Sequence, residues 1–196
     1  MSDVNRIKAN TAGELTEHFE LSDEAECVAV LEDAPVQVIA KLLAEEKYHD
    51  AVTMLAHALP KREAVWWVCL AVRKELGPED KLDAACVVAT ELWVREPSEL
   101  NRKAAKKLGD GRKKKSAAAW SATAASWCTG NMLDDDATLV APPDFLYAHA
   151  VAAGITLAAV AAGPKQMAAS YQLFMRQGFD LAAGGSGQVP EESAIL

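Results

Sequence analysis

Nine consecutive apolar residues, Ala64 to Val72 (AVWWVCLAV), lie between Pro60 and the pair Gly77-Pro78. The run is too long for an ordinary strand, it has no period-two alternation, and proline and glycine mark both ends. As a helix it has no wet side, so other helices must surround it. Pro60 is placed to open it, and Lys61, Arg62 and Glu63 keep its first turn soluble. Gly77-Pro78 supplies a stop and a new start, and the next helix, about Glu79 to Arg95, brings Leu82, Ala85, Cys86, Val88, Ala89, Leu92 and Trp93. These two helices are the expected core.

The rest of the chain repeats the helical signal. Ser22 before Asp23 and Glu24 reads as an N-cap followed by acids in the first turn. Pro35 fits a first helical position, with Val36, Ile39, Leu42 and Leu43 behind it. Tyr48, Val52, Leu55 and Leu59 form the apolar face of a hairpin partner. Pro97-Ser98 opens a polar helix stopped at Gly109, and Ser116 to Trp127 is alanine-rich. Two further helices are divided by Gly163-Pro164, the last reaching about Gly178 with a further turn through Ala183. No hairpin turn joins alternating apolar runs. The expected fold is all-α: one multi-helix domain over 11–183, about eight to ten helices built as hairpins, with 1–10 and 184–196 as flexible ends. Aromatic residues at Trp67, Trp93, Trp120 and Tyr147 recur at near-equal spacing, so a degenerate helical array is the alternative arrangement.

With 196 residues and 51% hydrophobic content, the chain can bury a sizeable core and is not a disordered segment. A net charge of −8 argues against general nucleic-acid affinity. Cys69 and Cys86 lie inside apolar runs, and no cysteine has metal-ligand spacing, so a reducing, cytoplasmic setting without disulfides is expected. The N-terminus lacks an apolar leader region. Phe145 to Gly163 approaches the length of a membrane span, but its alanines and His149 suit a buried, closely packed helix better, so no span is expected.

Candidate chemistry is sparse. His57 ends a helix, where it reads as a structural residue at the Leu59-Pro60 junction; an enzyme site with Glu63 is the competing reading. His149 is expected in the core, and His18 and His49 on the surface. Nothing in the sequence calls for a metal or a cofactor. Asp134-Asp135-Asp136 lacks the alternating ligands of a calcium loop and reads as solvated. Against the acidic background stands a basic segment: Arg102, Lys103, Lys106, Lys107, Arg112, Lys113, Lys114 and Lys115. It reads equally as a solvated loop and as a patch for an anionic surface, nucleic acid or an acidic protein. The lack of interleaved aromatic residues weakens single-strand binding. A protein is preferred because the acidic first fifty residues offer a complementary surface on a neighbouring copy or partner.

An ordered series of landmarks remains. LAHALPKREAVWW (55–67), a Trp-Ser-Ala-Thr-Ala-Ala helix, a loop ending in APP, HAVAAGITLAAVAAG (149–163) and FMRQGFDLAAG (174–184) follow one another. Over roughly 20–184 the chain resembles a domain-of-unknown-function family of Gram-negative bacteria, often encoded beside type VI secretion genes. The resemblance is carried most by Ala56, His57, Pro60, Glu63, Ala64 and Trp67. It brings no catalytic residues. It implies a non-enzymatic accessory role, as an adaptor or chaperone for the secretion apparatus or its effectors, with His57, Pro60, Glu63, Trp66, Trp67 and Trp93 as a structural signature.

Overall fold

Side-chain caps mark where four of the ten described helices begin. The computed structural model describes residues 6–77, 79–112, 115–133 and 138–190, and among these every regular element is α-helical. In chain order they are α1 (Ala12–Thr16), α2 (Asp23–Glu26), α3 (Pro35–Ala44), α4 (Tyr48–Ala58) and α5 (Lys61–Glu75). Then come α6 (Lys81–Arg95), α7 (Glu99–Asp110), α8 (Ala117–Ser126), α9 (Leu146–Ala161) and α10 (Met167–Ala182). Ser22, Asp80, Ser98 and Ser116 accept the backbone N–H three residues on, capping α2, α6, α7 and α8. The start of α6 is therefore set by Asp80, two residues later than Gly77-Pro78 suggests; Pro78 itself lies outside the described residues.

Helix α9 is the structural centre. It packs on α4, α5, α8 and α10, joining elements far apart in sequence. This is a closed bundle, whereas units of an array would touch only their neighbours. Its alanine and glycine content is explained by close approach: Gly154 faces Val68 of α5, and a Cβ there would lie 2.6 Å from the Val68 methyl. No described helix is long and apolar enough to cross a membrane.

Trp67, fully buried, fills the interface of α5 with α10 and donates its indole N–H to the Phe174 carbonyl at 2.6 Å. Gly178 is the reason it fits. A Cβ there would sit 2.6 Å from Leu55 and 2.8 Å from the indole, so glycine is retained mid-helix and α10 runs on without a break to Ala182. Gly109, in the last turn of α7, likewise lies against Ala119 and Ala122 of α8, and the helix ends one residue beyond it, where the sequence placed its stop. Gly178 reads as a stop in the sequence because a helix–helix contact that needs a missing side chain leaves no local signature.

The two ends are held wherever they are described. Arg6 N–H donates to the Ala182 carbonyl at 3.0 Å, and Ile7 and Ala9 pack on the core. Beyond α10, Gly185 and Gly187 donate to Asp180, and the Trp66 indole donates to the Ser186 carbonyl at 2.8 Å. Gly187, at φ +76, turns the chain against Leu70 and Leu181 where any side chain would clash. Residues 184–190, expected as part of a flexible tail, are thus tied to α5 and α10; 191–196 lie outside the described residues. All four cysteines are free, and only Cys27 is exposed.

Candidate functional site

The end of α4 places His57 where three other segments converge. Its Nδ1 lies 2.8 Å from the Thr53 carbonyl one turn back. A carbonyl can only accept, so Nδ1 carries the proton and Nε2 presents a lone pair. Nε2 is buried and has no hydrogen-bond partner among the described residues. The ring is 2% exposed, packed by Phe19 (ring centroids 4.6 Å apart), His149 edge-on (4.8 Å) and Phe145 (6.0 Å). Burial, opposed by the Thr53 hydrogen bond and reinforced by His149 and His18, lowers the His57 pKa to about 4.

Phe145 is the second unusual member. As the residue before α9 it adopts φ +63 and ψ −1, a left-handed conformation that side chains other than glycine and asparagine avoid. Its ring stacks on His18 at 4.1 Å. Tyr147, the second residue of α9, is buried and donates its hydroxyl to the Leu59 carbonyl at 3.0 Å; burial raises its pKa. Lys61 lies over the Tyr147 ring at 5.7 Å and donates to the Cys128 carbonyl at 3.0 Å. Burial pushes the Cys128 thiol up to about 12, so it is no nucleophile at neutral pH.

His57, Lys61, Phe145 and Tyr147 line a groove of about 570 Å³, completed by Arg6, Lys8 and Ala9 and by Glu14, Leu15 and His18 of the α1 region. Glu63 is not in it. It faces a second, shallower groove of about 400 Å³ beside Arg62, Trp66, Val94 and Arg95, and its carboxylate is paired with the Arg6 guanidinium. Arg6 therefore stands between the two residues that the sequence suggested as an acid–base pair, and no such pair forms. His149, expected in the core, is exposed and edges His57; His18 is on the surface as expected, but stacked. The convergence of three of the four histidines has no signature in the sequence, since it depends on how α1, α4 and α9 pack.

The signature residues divide in function. Trp67 and Trp93 are buried, Pro60 precedes α5, and half-buried Trp66 holds residue 186.

Several described cations of the basic segment are paired with their own surroundings. Arg102 is not on the surface: it is 1% exposed, with its guanidinium bound to both Glu99 oxygens at 2.6 Å and to the Ser126 carbonyl at 3.1 Å. It shares the inward face of α7 with Ala105 and Gly109, a spacing the sequence does contain. Arg102 in turn holds the Glu99 carboxyl below its ordinary range. Lys106 pairs with Asp110 at 2.9 Å, and Arg112 with Asp83 at 3.0 Å. Lys115 donates to Gly109 and Thr123. Lys103 lies 4.0 Å from Glu99, and Lys107 is exposed. Lys113, Lys114 and the Asp134–Asp136 triplet lie outside the described residues.

A different surface is left apolar. Leu82, Val88 and Leu92, expected in the core, are 60%, 46% and 48% exposed; Val88 and Leu92 lie one turn apart on the outer side of α6, opposite the face that Cys86, Ala89 and Trp93 bury. Asn101 donates to the Leu92 and Glu96 carbonyls, drawing the start of α7, with Leu100 at 79% exposure, to the end of this face. No described group of three or more His, Cys, Asp or Glu side chains could hold a metal ion.

No curated protein and no solved structure matches the chain. Residues 38–182, from α3 to the end of α10, do match a family profile, and the chain belongs to DUF6931, a family of unknown function.

Proposed function

We propose that this chain is a non-enzymatic, cytoplasmic protein-interaction module, an accessory adaptor or chaperone of a type VI secretion apparatus or of its effectors. The observation that carries the interaction half of this reading is the exposed apolar group of Val88, Leu92 and Leu100. Single exposed leucines are ordinary, but three large aliphatic side chains, two on one face of a helix and one at the start of the next, suit a partner's apolar surface. Lys81 and Arg95 on α6, and Glu96 and Glu99 at the approach to α7, give that face a charged rim. The secretion half rests on the likeness carried by Ala56, His57, Pro60, Glu63, Ala64 and Trp67.

The test is affinity purification from a bacterium that carries both the gene and a type VI apparatus, quantified by mass spectrometry. Wild type should enrich secretion components or an effector, and the double variant Leu92→Asp/Leu100→Asp should lose them while keeping its helical circular dichroism. Recovery of no secretion component above control would sink the proposal.

A further inference from the structure

The His57 groove goes beyond that reading and uses none of the α6 surface. A buried acceptor without a partner is costly, and native structures rarely keep one without a use. Here Nε2 of His57 is such an acceptor, its donor role excluded by the Thr53 contact, and its ring lines a groove of about 570 Å³. That volume is in the range of sites for small organic molecules. The walls are flat: His18, Phe145, His57 and Tyr147 present aromatic faces. His18 and His149 are exposed, so either can turn aside without opening the core. Phe145 is held in its left-handed conformation with its ring between those of His18 and His57. The charges do not select an anion. Arg6 is occupied by Glu63, Lys61 by the Cys128 carbonyl, and Glu14 and Asp144 share the rim with Lys8.

We propose that this groove binds a small planar aromatic molecule bearing one N–H or O–H donor, of the indole or phenol class, with its ring among His18, Phe145 and Tyr147 and its donor on His57 Nε2. The ligand displaces the exposed His149 edge and supplies the hydrogen bond that Nε2 lacks. A ring of this size with one good hydrogen bond binds in the millimolar range, roughly 1 mM.

The decisive comparison is indole against 1-methylindole, which has the same shape but no donor. Each is titrated into the unaltered protein and followed by the ring nitrogen resonances of His57. Indole should give a saturable shift of the Nε2 resonance, with 1-methylindole roughly tenfold weaker. His57→Phe keeps an aromatic ring there and should bind the two ligands equally. If that variant does not fold, the two titrations on the unaltered protein still decide. Equal binding of the two to wild type, or no saturable shift with indole, overturns the proposal and leaves Nε2 to a water molecule. N-acetyltryptophanamide is the third arm: if it binds and free indole does not, the groove holds a partner's side chain and the small-molecule proposal fails.

Discussion

His57 and Trp67 sit ten residues apart on consecutive helices, both almost fully buried, each donating one ring N–H to a helix carbonyl. Their surroundings differ because their polar inventories differ. The indole has no further polar atom, so α10 can close over it, with Gly178 removing the side chain that would prevent contact. The imidazole keeps a second nitrogen, which is buried and finds no partner among the described residues, and the residue that carries it lines a groove. Burial alone therefore says little about role. A buried ring whose polar atoms are all paired belongs to the fold, and one with an unpaired acceptor beside a cavity points outward to a ligand.

Three changes would break or sharpen that contrast. The largest effect is expected for Trp67→Ala, which removes the plug of the α5–α10 interface and leaves a cavity that Gly178 cannot fill. A loss of about 3–5 kcal/mol is expected, read as a lowered urea midpoint with little change in slope. A loss under about 1 kcal/mol would show that the interface collapses freely and that the close contact is not a structural requirement.

Next in size is the acid response of His57. Its pKa in the native protein is about 4, below the ordinary value of 6.5. Above pH 6.5 both native and unfolded rings are neutral, and the full stability is present. As pH falls from 6.5 towards 4, the unfolded ring takes a proton that the native ring refuses, so stability declines, and it levels off below 4. The loss is on the order of 3 kcal/mol. His57→Phe cannot titrate, so the difference between its urea midpoints and those of wild type, followed from pH 7.5 to 4, isolates this contribution from the carboxylates. Parallel pH profiles for the two proteins would refute the buried neutral imidazole. Trp67, having no titratable atom, predicts no such difference for Trp67→Phe.

The smallest effect separates strain that serves a groove from strain that serves only a turn. Glu46 at φ +55 and Phe145 at φ +63 are the left-handed residues other than glycine among those described. Glu46 is an exposed residue in the α3–α4 turn, so Glu46→Gly should stabilise by about 0.5–1 kcal/mol. Phe145→Gly obtains the same backbone relief but loses the stacking on His18 and His57, and should not stabilise. Thermal midpoints of the two variants make the comparison. A gain at Phe145 would mean that its ring contributes nothing to the site.

The fold was legible in the residues because helix signals are local. The caps at Ser22, Ser98 and Ser116, the prolines at 35 and 60 and the wholly apolar 64–72 run each act within one turn, and each lies at a helix start or in the core. Arg102 was legible in part. Its spacing with Ala105 and Gly109 marks an inward face, but a run of positive charges draws attention to the surface instead.

By itself the amino-acid sequence determined an all-helical chain with α5 in its core, because periodicity, capping and proline geometry act over a few residues. Only the tertiary structure decided which polar groups find partners. Arg6 takes Glu63 as its partner, Asp83 and Asp110 pair with Arg112 and Lys106 of the basic segment, and Gly178 admits Trp67 where a helix stop was expected. It also brought His18, His57 and His149 together around Phe145. Hydrogen bonds and ion pairs have a reach of about 3–4 Å, and only packing brings residues distant in sequence within it.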